Sequence, residues 1–284
     1  RFDWLGAIGL TIGLISLILA VSKGSSWGWA APITLSLLGL AAVSLLLWGI
    51  WETHTKDPLV DLRTAVIPRV LLTNIASIFV GFGMYASMLV MPQILQLPAE
   101  TGYGLGQSIL AAGLWMAPAG LMMLVLSPVG GRLTNSRGPK FTLVLGVAIL
   151  ALGYGVGLLG MGSAWGLMAT SFVINGGVAL AYGAMPSIIM GAVPRSETAA
   201  ANGFNTLMRS LGTTTGAAVV GLVLAQMTTD FGGVSVPSEA GFRVALILGA
   251  GISVIAAILA ACIPAAASKI PLEIAPQPEA ALAK

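Results

Sequence analysis

The sequence predicts an all-α membrane protein, a polytopic bundle of about eight transmembrane helices. Composition is the first reason: apolar residues fill 57% of the 284 positions and Asp, Glu, Lys and Arg only 8%, against the ~25% charged residues of a soluble domain. Mean hydropathy, at +0.95, is the second. The third is pattern, because the charges are confined to short stretches between charge-free runs of roughly 20 residues, the length that crosses a bilayer core. A soluble fold is excluded. The pI near 9.3 does not point to nucleic acid, since the basic residues are scattered singly rather than clustered. The expected partner is the lipid bilayer.

Charge-free runs mark the spans, because an unpaired ionised group at mid-bilayer is costly and backbone groups are satisfied there only inside helices. In chain order they are Trp4 to Ser22, Pro32 to Trp51, Val70 to Leu95 and Leu105 to Ser127, then Phe141 to Met161, Trp165 to Met190, Thr206 to Met227 and Val244 to Ile263. The run from Phe141 to Pro194 is too long for one helix. It breaks at Gly160-Met161-Gly162-Ser163-Ala164-Trp165-Gly166, where glycine and serine make a turn and Trp165 suits a headgroup-level anchor. Pro92, Pro118, Pro128 and Pro186 lie in or at the ends of spans and predict kinks. Glycines at small-residue spacing, Gly212-x-x-x-Gly216 and Gly153-x-Gly155-x-Gly157, predict close helix packing. The chain divides into two helices over 1–53, a connector over 54–69, six helices over 70–265 and a disordered tail over 266–284.

Orientation follows from the excess of Lys and Arg in cytoplasmic loops. One side collects Arg1, Lys56, Arg63, Arg69, Arg132, Arg137, Lys140, Arg195, Arg209, Lys269 and Lys284; the other holds Lys23 and Arg243. The first side is assigned to the cytoplasm of a multi-pass plasma-membrane protein, with both chain ends there. Trp4, Trp27, Trp29, Trp48, Trp51 and Trp165 fall near span ends, as an aromatic belt requires.

Little chemistry is expected. One cysteine, Cys262, permits neither an internal disulfide nor a cysteine metal site, and His54 is read as a solvated loop residue beside Glu52 and Lys56. No metal, cofactor or enzymatic nucleophile is expected. All ten acids are read into loops, span edges or the tail, so no mid-membrane carboxylate is available to couple transport to protons. Intramembrane polarity is uncharged. Asn74, Ser77, Tyr85, Ser87 and Gln93 lie in the third span, Asn175 and Tyr182 in the sixth, Thr213 to Thr215 and Gln226 in the seventh. Asn74, Ile78, Gly81, Tyr85 and Met88 share a helix face. That stripe lines a cavity or bonds between helices; nearby methionines such as Met84 and Met116 add a soft, adaptable surface. Arg209 is placed at the cytoplasmic entry of the seventh span, either snorkelling to headgroups or acting as a gate, with Glu197 the nearest acid in sequence.

The most specific local pattern is Gly131-Arg132-Leu133-Thr134-Asn135-Ser136-Arg137-Gly138-Pro139-Lys140, read as a loop after the fourth span. It resembles the G-x-L-a-D-r-x-G-r-k cytoplasmic motif of the major facilitator superfamily, with Gly131, Leu133, Gly138 and Lys140 at matching positions. Asn135 stands at the usual aspartate and Ser136 at the usual basic position. Phe2-Asp3-Trp4-Leu5-Gly6, Trp27-Gly28-Trp29, Asp57-Pro58-Leu59-Val60-Asp61-Leu62-Arg63 and Asn205-Thr206-Leu207-Met208-Arg209-Ser210-Leu211-Gly212 resemble the fourteen-span drug:proton antiporter branch.

The resemblance implies two central helices plus the six-helix C-terminal half of a major facilitator fold, without the first six helices. It implies proton-coupled efflux of drugs or other amphipathic molecules, with the coupling carboxylates and the antiporter glycine-proline helix in the missing N-terminal half. Asn74, Tyr85, Met88, Gln93, Trp115 and Asn175 are the expected cavity wall. The alternative is a non-transporting scaffold, or a half-transporter that assembles with a partner.

Overall fold

The computed structural model describes residues 3–55 and 61–265. Arg1, Phe2, the Lys56–Val60 part of the connector and the tail from 266, with Lys269, Glu273, Glu279 and Lys284, lie outside the described residues. The chain forms α1 (Trp4–Trp27), α2 (Pro32–His54), a one-turn α3 (Leu62–Ala65), α4 (Pro68–Gln96), α5 (Ile109–Arg137), α6 (Pro139–Gly160), α7 (Ala164–Met190), α8 (Thr198–Gln226) and α9 (Glu239–Cys262). Eight of these are long and apolar enough to cross a membrane.

The boundaries follow capping chemistry rather than hydropathy alone. Asp3, Ser108, Ser163 and Ser238 accept an amide hydrogen bond at the starts of α1, α5, α7 and α9, satisfying donors that a helix leaves free. Pro32, Pro68 and Pro139 open α2, α4 and α6, where a missing N–H costs nothing.

Several expectations are corrected. The segment from Gly131 to Arg137 is helix, not loop: α5 continues through Pro128 until Gly138, whose φ of 90° ends it. The corner to α6 is that single residue, a backbone conformation glycine adopts without a Cβ penalty. Helix α8 starts at Thr198, so Asn202 and Asn205 lie inside it. Helix α2 extends to His54, and Glu52 is buried rather than in a loop. Trp48 is also buried, packed with Leu10 against Leu45, Phe204 and Leu207, so it belongs to the α1–α2–α8 junction and not to a headgroup belt.

An unforeseen antiparallel hairpin, β1 (Thr228–Phe231) and β2 (Val234–Pro237), joins α8 to α9. Its turn is Gly232-Gly233, both at positive φ, the conformation that two-residue hairpins favour. Tyr103, in the α4–α5 loop, donates from its hydroxyl to the Pro237 carbonyl at 2.6 Å and ties this outer layer together.

The six helices α4–α9 interlock as two three-helix repeats, packing mainly between the repeats rather than within them. Helix α4 packs on α8 as α7 packs on α5, and α4 on α9 as α7 on α6, while the sequence neighbours α4/α5 and α7/α8 scarcely touch. Exchanging α4–α6 with α7–α9 preserves the pattern, the signature of an inverted three-plus-three repeat. Its tight crossings are built on glycine. A Cβ on Gly81 would meet the Arg209 carbonyl, on Gly212 the Ile78 carbonyl and on Gly216 the Phe82 carbonyl; Gly146 and Gly177 are opposed in the same way between α6 and α7. Gly153 and Gly157 face Ile174 and Thr170 of α7, whereas Gly155 faces open space. Where a side chain does enter, it is Tyr154, fully buried, whose hydroxyl donates to the Gly83 carbonyl.

Gly212→Val is expected to lower the unfolding free energy in mixed micelles by about 1–3 kcal/mol through overpacking at a backbone contact. Gly221→Ala, in open space on the same helix, should be neutral or slightly stabilising. At the outer layer, burial and then the Glu239 carboxylate push the Tyr103 phenol above its ordinary 10.0. The folded state therefore favours the neutral phenol, and its contribution is full below pH 10.0 and lost as pH rises through the raised folded value. The thermal-stability difference between wild type and Tyr103→Phe should shrink over that alkaline range.

Candidate functional site

Buried polarity converges where α4, α7 and α8 meet, toward the end of the bundle that carries Arg63, Arg69, Arg132, Arg137, Lys140 and Arg195. The Asn205 side-chain amide donates to Asn74 Oδ1 at 2.9 Å and to Ser77 Oγ at 2.6 Å. Ser77 donates to the Thr73 carbonyl and lies 3.1 Å from Met185 Sδ of α7. Asn74, Ser77 and Asn205 are at most 3% exposed, so each bond replaces one that water cannot supply. Helical spacing explains the cluster: Asn74 and Ser77 sit one turn apart on the α4 face turned toward α8.

One turn further along α8 is Arg209. Its guanidinium carbon stands 4.6 Å from the Tyr182 ring centroid, and Nη2 donates to Thr206 Oγ1 at 3.1 Å. Its own backbone carbonyl abuts Gly81 near the middle of α4, about three turns into α8 from Thr198, so it lies well inside the helix rather than at its mouth. Among the described residues the one ion pair is Arg243–Glu239. The expected juxtaposition of Arg209 with Glu197 is not formed. Glu197 instead borders a cavity of ≈10 Å³ with Asp61, Thr64, Asn74 and Phe204, where the connector meets α4 and α8.

The other expected cavity residues are dispersed. Asn74 and Gln93 are separated along α4 by about 28 Å. Gln93 lines an outer cleft of ≈450 Å³ with Leu89, Leu224 and the hairpin residues Ser235 and Pro237. Trp115 donates to Gln107 Oε1 at 3.3 Å and meets Trp165 edge-on at 4.9 Å. Asn175 donates back to the Ser171 carbonyl of its own helix. Tyr85 is half-buried and Met88 is 63% exposed. In the facilitator-like segment Gly131, Arg132 and Asn135 are exposed and Leu133 half-buried. Arg137 lies over the Phe141 ring at 5.2 Å, and Lys140 sits in the first turn of α6 beyond Gly138. Sequence reasoning missed that Tyr182 is the partner of Arg209 and that Met185 adjoins Ser77. The available signal was polar residues one turn apart on two different spans, Asn74/Ser77 and Asn205/Arg209.

The family model described as Major Facilitator Superfamily matches residues 2–217 and, in a second register, residues 73–281. Multidrug resistance protein Stp of Mycobacterium tuberculosis is 28% identical over 226 residues, covering 79% of this chain and 41% of Stp. The tetracycline resistance determinant of Streptomyces rimosus is 27% identical over 227 residues, covering 77% of this chain and 62% of its own length. The chain thus spans less than two thirds of either curated relative. A crystal structure of a mutant of the nucleoside transporter NupG superposes with a TM-score of 0.59 at 16% identity, covering 92% of this chain and 83% of that one; this likeness is one of fold.

If the Asn74–Asn205 bond holds α4 to α8, a double-mutant cycle of Asn74→Ala and Asn205→Ala, read by unfolding in mixed micelles, should return a coupling of about 0.6–1.7 kcal/mol. Additive single effects would place the adhesion elsewhere.

Proposed function

The chain belongs to the major facilitator superfamily, and from that premise we propose that it is one rocking half of an efflux transporter for amphipathic small molecules, working against a second helix bundle. The observation that carries this reading is Arg209: a cation inside a span, held by the face of Tyr182 and the Thr206 hydroxyl. A cation held by a π face and one hydroxyl is free to exchange partners as bundles rock. In this role Arg209 is a gate residue whose alternating partner is a carboxylate on the opposing bundle, and Glu197 belongs to the connector junction.

Proton coupling needs a carboxylate or histidine inside the membrane whose protonation can switch. Most described acids have other roles: Asp3 and Asp61 cap helices, Asp230 braces the hairpin turn and Glu239 pairs with Arg243. We therefore assign coupling to the second bundle. The relatives named for multidrug and tetracycline resistance support an amphipathic substrate, and the loosely joined α7 and α8 support a cavity wall formed by Asn175, Tyr182, Tyr85 and Met88. The basic end faces the cytoplasm in this reading, as the excess of Lys and Arg requires.

In the transporter that contains this chain, Arg209→Ala should lower ethidium export from energised cells by about tenfold at equal membrane level, with Arg209→Lys less affected. Unchanged export in Arg209→Ala would sink the gate assignment. Proton-gradient-dependent export by this chain alone would sink the two-bundle reading, and no export in any arm would favour the scaffold alternative.

A further inference from the structure

A second feature, remote from Arg209, lies at the corner between α5 and α6. A cleft of ≈510 Å³ opens there, lined by Arg69, Arg137, Gly138, Lys140, Phe141, Val144, Ala261 of α9 and Ala265 just past its end. Three cations share its rim, and no described carboxylate pairs with any of them; the ion pair between described residues, Arg243–Glu239, is elsewhere. Arg69 reaches the Gly191 carbonyl only at 3.5 Å, and its Nε is buried without a partner. Arg137 rests on Phe141. No side chain caps α6 here, so its positive dipole end adds to the same field. The rest of the lining is apolar, with Phe141 and Val144 from α6 and Ala261 from α9.

We propose that this cleft seats the phosphate of an anionic phospholipid, with an acyl chain lying on the α6–α9 groove. Charge complementarity favours an anion, since among the described residues three cations and a helix N-terminus meet no carboxylate there. The apolar walls continuous with the rim select a lipid over a free phosphate, which would leave that surface bare. Basic pockets between helices at one membrane face suit such headgroups. The site is independent of the efflux reading, for it uses neither Arg209 nor the α7–α8 face.

The test is native mass spectrometry of the purified chain released from nanodiscs of phosphatidylglycerol and phosphatidylcholine in equal parts. Phosphatidylglycerol should be retained preferentially, and Arg137→Gln and Lys140→Gln should each weaken the preference about fivefold. Arg132→Gln, an exposed cation at the same end but outside the cleft, should leave it intact. Circular dichroism and elution volume in phosphatidylcholine nanodiscs establish that each variant is folded; if one is not, the remaining cleft variant carries the test. Equal retention of the two lipids overturns the proposal, as does an equal loss on Arg132→Gln, which would mean general surface charge. Displacement of phosphatidylglycerol by millimolar inorganic phosphate also overturns it, in favour of a free-anion site.

Discussion

The structure depends on how closely two helix backbones approach when there is no Cβ between them. In hydrocarbon a leucine gains nothing by leaving lipid for another leucine, so helices hold together through van der Waals contact at short range and through polar bonds. Gly81, Gly212 and Gly216 bring α4 and α8 into direct backbone contact, and Gly146 and Gly177 do the same for α6 and α7. These crossings are where a side chain cannot be tolerated. Elsewhere glycines such as Gly113, Gly120 and Gly155 meet nothing, so glycine content alone does not locate the contacts.

Tight crossings at some pairs leave others loose. Because α4 is committed to α8 and α7 to α5 and α6, the neighbours α7 and α8 diverge, and the polar junction lies at the bottom of that divergence. Asn74, Ser77 and Asn205 join α4 to α8, while Tyr182 reaches Arg209 from α7. The same packing that fixes the scaffold therefore exposes the side of the bundle where motion is least restrained. The hairpin and Tyr103 close the opposite end of the bundle.

Spans were legible in the sequence because the cost of charge in lipid writes itself as charge-free runs, and the count of eight follows. Their ends were less legible, since a helix continues past the hydrocarbon until a residue stops it. Helix α5 shows this: hydropathy falls near Ser127, yet nothing breaks the backbone before Gly138, and a motif read as loop is two turns of helix. The Gly232-Gly233 turn was readable by its chemistry but is hidden beside stronger membrane signals. The site was only partly legible. Polar residue types in the spans were visible, but their grouping depends on which faces meet, and those faces are set by glycine contacts between distant segments. Glu52 and Trp48, assigned by adjacency to a loop and a belt, are buried because α1 folds back onto α2.

Placing an arginine such as Arg209 well inside a span costs about 2.5–3.5 kcal/mol by insertion measurements. For a half-buried guanidinium a π face returns about 0.5–1 kcal/mol and a hydroxyl acceptor roughly another 1.5, so much of the cost is offset without a counter-ion. A buried carboxylate partner would hold it differently, because breaking such a pair leaves an uncompensated charge and costs about 3–5 kcal/mol. Tyr182 is thus a partner strong enough to keep the cation in place and weak enough to release it. Asn205, one turn away and bonded through its side-chain amide to Asn74 and Ser77 of α4, ties α8 to α4 while the guanidinium is free to turn. A fixed helix with a loosely held charge is the arrangement that lets a charge change partners without disturbing the fold.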